Sequence, residues 1–167
     1  MQYEIERRYL VRVDEARTEA LRGGGASLRQ GYIRNGTPSV RIRTGEARGP
    51  VLTCKSGRGI RRREAESVVS AEVAEALFEA AGHRIIEKTR HRIGPWELDF
   101  FRGPLEGLTL LEIELDHEDD PVPGAPDGVS ILREVTDDKS FVSGHLARMT
   151  PKEQRALVKA VYRKDRP

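Results

Sequence analysis

The chain has 167 residues, 37% hydrophobic and 34% charged, with 29 basic against 27 acidic side chains and a net charge of only +2. A length of this order suits one globular domain with a real core. The near-balance of charge excludes wholesale attraction of nucleic acid, and a lone cysteine, Cys54, excludes an intrachain disulfide and any multi-cysteine metal site. The N-terminus is charged, and no run approaches ~18 apolar residues, so a cytoplasmic protein that makes no membrane contact is expected.

In chain order, strand alternation predicts strands at 2–12, 27–34, 38–44, 50–56 and 64–69. Residues 14–22 read as a short helix stopped by Gly23, Gly24 and Gly25, and Asn35-Gly36 is a hairpin signal. The segment 57–63, GRGIRRR, reads as a basic connector, with Arg61, Arg62 and Arg63 on a solvated loop. Ser70 caps a helix over 71–81 that Gly82 ends. Strands follow at 84–92, 96–102 and 109–116, then an acidic Pro/Gly loop at 117–128. Helical stretches are expected at 130–135, 138–147 and 150–163, the last with Thr150 as cap, Pro151 in the first turn and Glu153 completing a capping box. The whole chain, 1–167, is expected to form one domain.

Splitting each strand by its two-residue period separates charge from apolar surface. Glu4, Glu6 and Arg8 share a face, as do Arg41 and Arg43, Glu64 and Glu66, Lys88 and Arg90, Glu97 and Asp99, and Glu112 and Glu114; Lys55 opposes Leu52 and Cys54. One such strand is an ordinary wet sheet. Repeated on seven segments, with acids beside acids and bases beside bases, the pattern gains nothing as a stabilising device, because like charges on one face repel. A polyanion site with metal ions gives a reason: carboxylates hold hard cations, and Arg and Lys hold phosphate oxygens. A closed antiparallel barrel with the charged face inward and the apolar face under helices meets that need. An open sheet with one solvated face is the alternative.

The ordered set, from EIERRYLV through an Arg-x-Arg strand, a lone Lys, a Glu-x-Glu, a Lys-x-Arg and a final Glu-x-Glu, resembles the CYTH superfamily, the triphosphate tunnel metalloenzymes, over residues 2–116. The resemblance implies an α+β fold built on an eight-stranded antiparallel tunnel and a Mg²⁺- or Mn²⁺-dependent hydrolase of triphosphates, with inorganic tripolyphosphate as the expected substrate. It makes Glu4, Glu6, Glu112 and Glu114 candidate metal ligands, with Asp99 a further metal-side acid and Glu97 in support. Arg8, Arg41, Arg43, Lys55, Lys88 and Arg90 are candidate phosphate ligands, and Glu64 and Glu66 position a water or orient the basic groups. Tyr32 and Lys55 match a catalytic pair of the small bacterial tripolyphosphatases. Arg8 stands where the family has lysine, and a planar fork is not equivalent to a point charge. Other triphosphate chemistry on the same fold (adenylate cyclisation, thiamine or nucleoside triphosphate hydrolysis) and a non-catalytic polyphosphate-binding module stay open. A small-molecule triphosphate is the expected partner, and a homodimer is compatible with the sequence. Cys54 is expected to be a small buried hydrophobe, and the four histidines lack metal spacing.

Overall fold

The computed structural model describes residues 2–57 and 60–163. Among the described residues, nine strands and four helices follow the chain as β1 (Gln2–Val13), α1 (Glu15–Ala20), β2 (Ala26–Arg34), β3 (Ser39–Thr44), β4 (Val51–Gly57), β5 (Arg61–Val68), α2 (Ala71–Ala81), β6 (Ile85–Ile93), β7 (Trp96–Phe101), β8 (Thr109–Leu115), β9 (Val129–Glu134), α3 (Ser143–Leu146) and α4 (Pro151–Arg163). The strand order is β5-β4-β3-β2-β6-β7-β8-β1-β9, and a further β5–β1 pairing closes β1 to β8 into an antiparallel barrel. Closure is short: Gln2, Tyr3, Glu4 and Ile5 face Glu64, Arg63, Arg62 and Arg61. From Tyr9 onward the same edge of β1 is taken by β9. Among the described residues no helix is long and apolar enough to cross a membrane.

Three apolar clusters show how the barrel is packed. On the outside, α2 lays Ala74 and Phe78 over Ile42, and Gly31 lets this helix approach, since a Cβ there would lie 2.9 Å from the Phe78 ring. Also outside, Tyr9, Val11, Trp96, Leu98, Leu111 and Ile113 are covered by Val122, Ala125 and Val129, and the Trp96 indole donates to the Gly124 carbonyl at 3.0 Å. The third cluster lies within the barrel. Along the inner faces charge gives way to carbon in one step: Arg8 to Leu10, Lys88 to Ile86, Asp99 to Phe101 and Glu112 to Leu110. Those four apolar residues pack with Tyr32, Phe141 and Leu146 into one buried core. One end of the barrel interior is therefore an apolar floor, completed by the chain after β9.

Four local expectations need correction. Residues 130–135 lie in a strand, not a helix: β1 leaves β5 after Ile5, and its exposed edge takes Val129–Glu134 as a partner. The stretch 138–147 is broken into a single turn at 139–141 and the four-residue α3. Within the basic connector, Arg61, Arg62 and Arg63 begin β5; Arg58 and Gly59 lie outside the described residues. Cys54 is exposed, on the outer face of β4, and is not a core residue.

Candidate active site

The inner faces of β1 to β8 enclose a cavity of about 1450 Å³ that gathers Glu4, Glu6, Arg8, Tyr32, Arg41, Arg43, Lys55, Glu64, Glu66, Lys88, Arg90, Glu97, Glu112 and Glu114. Every site residue expected from the sequence except Asp99 borders it. Segments from both barrel ends join the lining: Glu46, Arg48, Gly94 and Pro95 from connections at one end, the connection residues Asn35 to Thr37 and Ser143 to His145 of α3 at the other.

Register explains which charges meet. Glu6 lies opposite Glu114 and Arg8 opposite Glu112 across β1 and β8; Lys55 lies opposite Glu64 across β4 and β5; Tyr32 lies opposite Arg41 across β2 and β3. Arg8 is buried and spans two acids, with Nε 2.6 Å from Glu112 and a terminal nitrogen 2.5 Å from Glu6. Asp99 is fully buried beneath the cavity wall. It receives both Arg90 Nε and a terminal Arg90 nitrogen at 2.6 Å, and it also pairs with Lys88. Arg90 further reaches Glu112 at 2.7 Å and pairs with Glu97. This lattice fixes the basic groups deep in the barrel, where burying a charge without a partner is costly.

At the closure of the barrel, the Lys55 ammonium lies 2.6 Å from Glu4 and 2.9 Å from Glu64. Arg62, not anticipated as a site residue, turns inward opposite Glu4, 3.2 Å from it and 3.6 Å from Glu6. Extending the Glu64 and Glu66 face by two residues would have found it. Thr53, two residues before Lys55, falls under the same rule; it donates to Glu66 at 3.0 Å. Glu46 and Arg48 come from a connection with no periodic signal, and Ser143 and His145 from the single-turn helix α3. The Tyr32 hydroxyl accepts from the Gln30 amide at 3.5 Å, and Arg41 and Ser143 lie beside it.

Electrostatics divide the lining. Burial works against the charge of Glu112, but Arg8, Lys88 and Arg90 hold its carboxyl well below the usual range. Burial and then the Glu112 charge raise Glu6; burial and then Glu4 and Glu6 raise Glu114. Glu64 is pushed up to about 7 by burial and Glu4, against the pull of Lys55. Burial opposes ionisation of Tyr32, yet the Arg41 guanidinium beside it brings the phenol below its ordinary value. Among the basic groups, the Nε atoms of Arg41, Arg43 and Arg62 are buried without a hydrogen-bond partner among the described residues.

Oxygen donors of this kind suit a hard divalent cation. Glu6 and Glu114 face each other and are both raised by neighbouring carboxylates, so negative charge is in local surplus there. Among the described residues no three carboxylates stand close enough to hold a cation as they are, since Glu4, Glu6 and Glu112 are each turned onto a basic side chain.

No family model matches the chain. It is 33% identical over 151 residues to an inorganic triphosphatase of Acetivibrio thermocellus, covering 87% of this chain and 93% of that protein. It is also 33% identical over 156 residues to an inorganic triphosphatase of Nitrosomonas europaea, covering 89% and 99%. A solved inorganic triphosphatase structure matches with a TM-score of 0.58 at 31% identity, over 90% of this chain and 98% of the other.

Proposed function

The chain belongs to the inorganic triphosphatase family of triphosphate tunnel metalloenzymes, and from that premise we infer that it hydrolyses a phosphoric anhydride bond of inorganic tripolyphosphate inside the barrel. The observation that carries the reading is the set of buried guanidinium Nε donors on Arg41, Arg43 and Arg62 that lack partners among the described residues while bordering one cavity. A buried donor is expected to be satisfied, and an anion with many oxygens satisfies several at once.

Arg41 and Arg43 bind the phosphate chain, and Arg8, Lys88 and Arg90 neutralise it from below in orientations set by Asp99 and Glu112. Glu4, Glu6 and Glu114, with Glu112, would hold a divalent cation, Mg²⁺ or Mn²⁺, which supplies charge neutralisation and a more acidic water. Phosphoryl transfer depends mainly on such positioning and charge stabilisation. Water attacks phosphorus, the P–O bond to the leaving phosphate breaks, and the leaving oxygen takes a proton. Lys55, held by Glu4 and Glu64, and Tyr32, made more acidic by Arg41, are the proton-bearing groups assigned to that oxygen. Glu64 and Glu66 orient Lys55 and Thr53.

The aromatic side chains bordering the cavity support an inorganic substrate over a nucleotide. They are Tyr32, Trp96 and His145. Trp96 is buried in the outer cluster, and the Tyr32 ring is covered by Gly144, where a Cβ would lie 3.3 Å from it. Stacking a base needs an open ring face, and of these three rings His145 alone is exposed. The test is phosphate release from tripolyphosphate, ATP, thiamine triphosphate and pyrophosphate, each with Mg²⁺, Mn²⁺ or Ca²⁺. Fastest turnover is expected on tripolyphosphate with Mg²⁺ or Mn²⁺; no release from it under any metal overturns the reading, and preference for ATP replaces the substrate.

A further inference from the structure

The connection 45–50 between β3 and β4 lies at a rim of the cavity, directly after the Arg41-x-Arg43 motif, and turns Glu46 inward, its side chain only 12% exposed. Three guanidiniums surround this carboxylate. Arg43 of β3 lies 3.2 Å away, Arg48 of the same connection 3.2 Å, and Arg92 of β6 3.6 Å. Arg48 also pairs with Glu66, and Arg92 lies 3.1 Å from Glu97. Arginine forks converging on one anion are a phosphate-binding arrangement. Here the anion belongs to the protein. The root of the connection is pinned at Gly45, whose φ of +105° suits glycine and where a Cβ would lie 1.8 Å from the Ser27 carbonyl oxygen. Beyond that root, ion pairs from Glu46 and Arg48 tie the connection to the barrel wall.

We propose that Glu46 is an internal stand-in for a substrate phosphate, filling a three-arginine subsite at the mouth from which the end of an entering polyphosphate displaces it. The proposal rests on the triphosphate reading for the identity of the anion. Displacement separates one carboxylate from three cations. Orthophosphate only exchanges one anion for another at the rim. A longer chain that also reaches Arg41 and Lys88 adds deeper charge-assisted contacts, so Glu46 raises the threshold against short phosphates. Specificity then comes from a built-in competitor as well as from attraction.

The test compares wild type with Glu46→Gln in metal-free buffer, by calorimetric titration with sodium tripolyphosphate and by thermal melting without ligand. A stand-in predicts two opposite changes: the ligand-free variant melts lower, because three guanidiniums lose their anion, and it binds tripolyphosphate at least about tenfold more tightly, 1.4 kcal/mol. Lower melting with unchanged or weaker binding makes Glu46 a structural residue and overturns the proposal; so does no change in either. Should the variant not fold, amide exchange on wild type decides. Saturation with tripolyphosphate should speed exchange across 45–49 while the strands are protected, and unchanged or slower exchange there overturns the displacement. Failure of the catalytic reading would show separately, as absent phosphate release despite binding.

Discussion

Asp99 shows what a single buried charge does in this barrel. It is fully buried and pairs with both Lys88 and Arg90. Its place on the charged face of β7 is legible in the two-residue period, but its depth is not, because depth depends on how the barrel closes over it. Asp99→Asn leaves two buried cations short of an anion, and should lower unfolding free energy by about 3 kcal/mol or more. Urea denaturation checks this, and a loss under about 0.5 kcal/mol would mean that Glu112 and Glu97 suffice for the basic pair. Glu64 gives a pH signature. Its folded value of about 7 lies above the ordinary 4.5, raised by burial and Glu4, so the folded state holds this proton more tightly than the unfolded chain. Stability from this group therefore falls as pH rises from about 4.5 to about 7 and is level above. Glu66 runs the other way: hydrogen bonding from Arg48 leads the forces that overcome burial and bring it to about 2, and its contribution, present above about 4.5, is lost as pH falls toward 2. Melting curves in metal-free buffer from pH 4 to pH 8 should show a decline above 4.5 that Glu64→Gln lessens, the remainder coming from Glu6 and Glu114, whose carboxyls are raised as well.

Elements differ in how openly the sequence declares them. The helix α2 was readable to the residue, because Ser70 accepts from the Val73 amide at its start and Gly82 ends it, all within local reach. Strand β9 was not: Val129–Glu134 becomes a strand only because β1, more than a hundred residues earlier, offers an edge. Arg62 was hidden for a related reason. In GRGIRRR no apolar residue alternates with it, and only pairing to Glu4 reveals that β5 begins there. Cys54 faces outward like the residues that α2 covers on β2 and β3, but α2 stops short of β4, and no local pattern marks that limit. The α2 contact itself can be tested. Gly31→Ala places a methyl 2.9 Å from the Phe78 ring and 3.0 Å from the Ala81 Cβ, which should cost about 1–3 kcal/mol through overpacking. Differential scanning calorimetry should show the lower melting point, while turnover on tripolyphosphate stays at the wild-type value if the helix serves only as outer cover.

Across the whole molecule, a net charge of +2 conceals a strongly segregated interior. The barrel balances its acids against its own bases, and Arg41, Arg43 and Arg62 keep Nε donors without a partner among the described residues. Tripolyphosphate with Mg²⁺ should therefore stabilise the fold well beyond an ionic-strength effect, by roughly 2.7 kcal/mol at a free concentration about 100-fold above the dissociation constant. Orthophosphate at equal concentration should shift the melting temperature much less, and equal shifts would mean that the barrel has no extended anion site. The topology carries a different consequence, for synthesis. Strand β1 is synthesised before its partners β5, β8 and β9, which begin at residues 61, 109 and 129. At ~5–20 residues per second, the interval between the end of β1 and the start of β8 is roughly 5–20 s, during which the β8 edge of β1 is exposed to other nascent chains. Charged side chains alternating along such a strand oppose edge-to-edge association. Glu4, Glu6 and Arg8 thus guard the newborn chain against aggregation before there is any cavity for them to line.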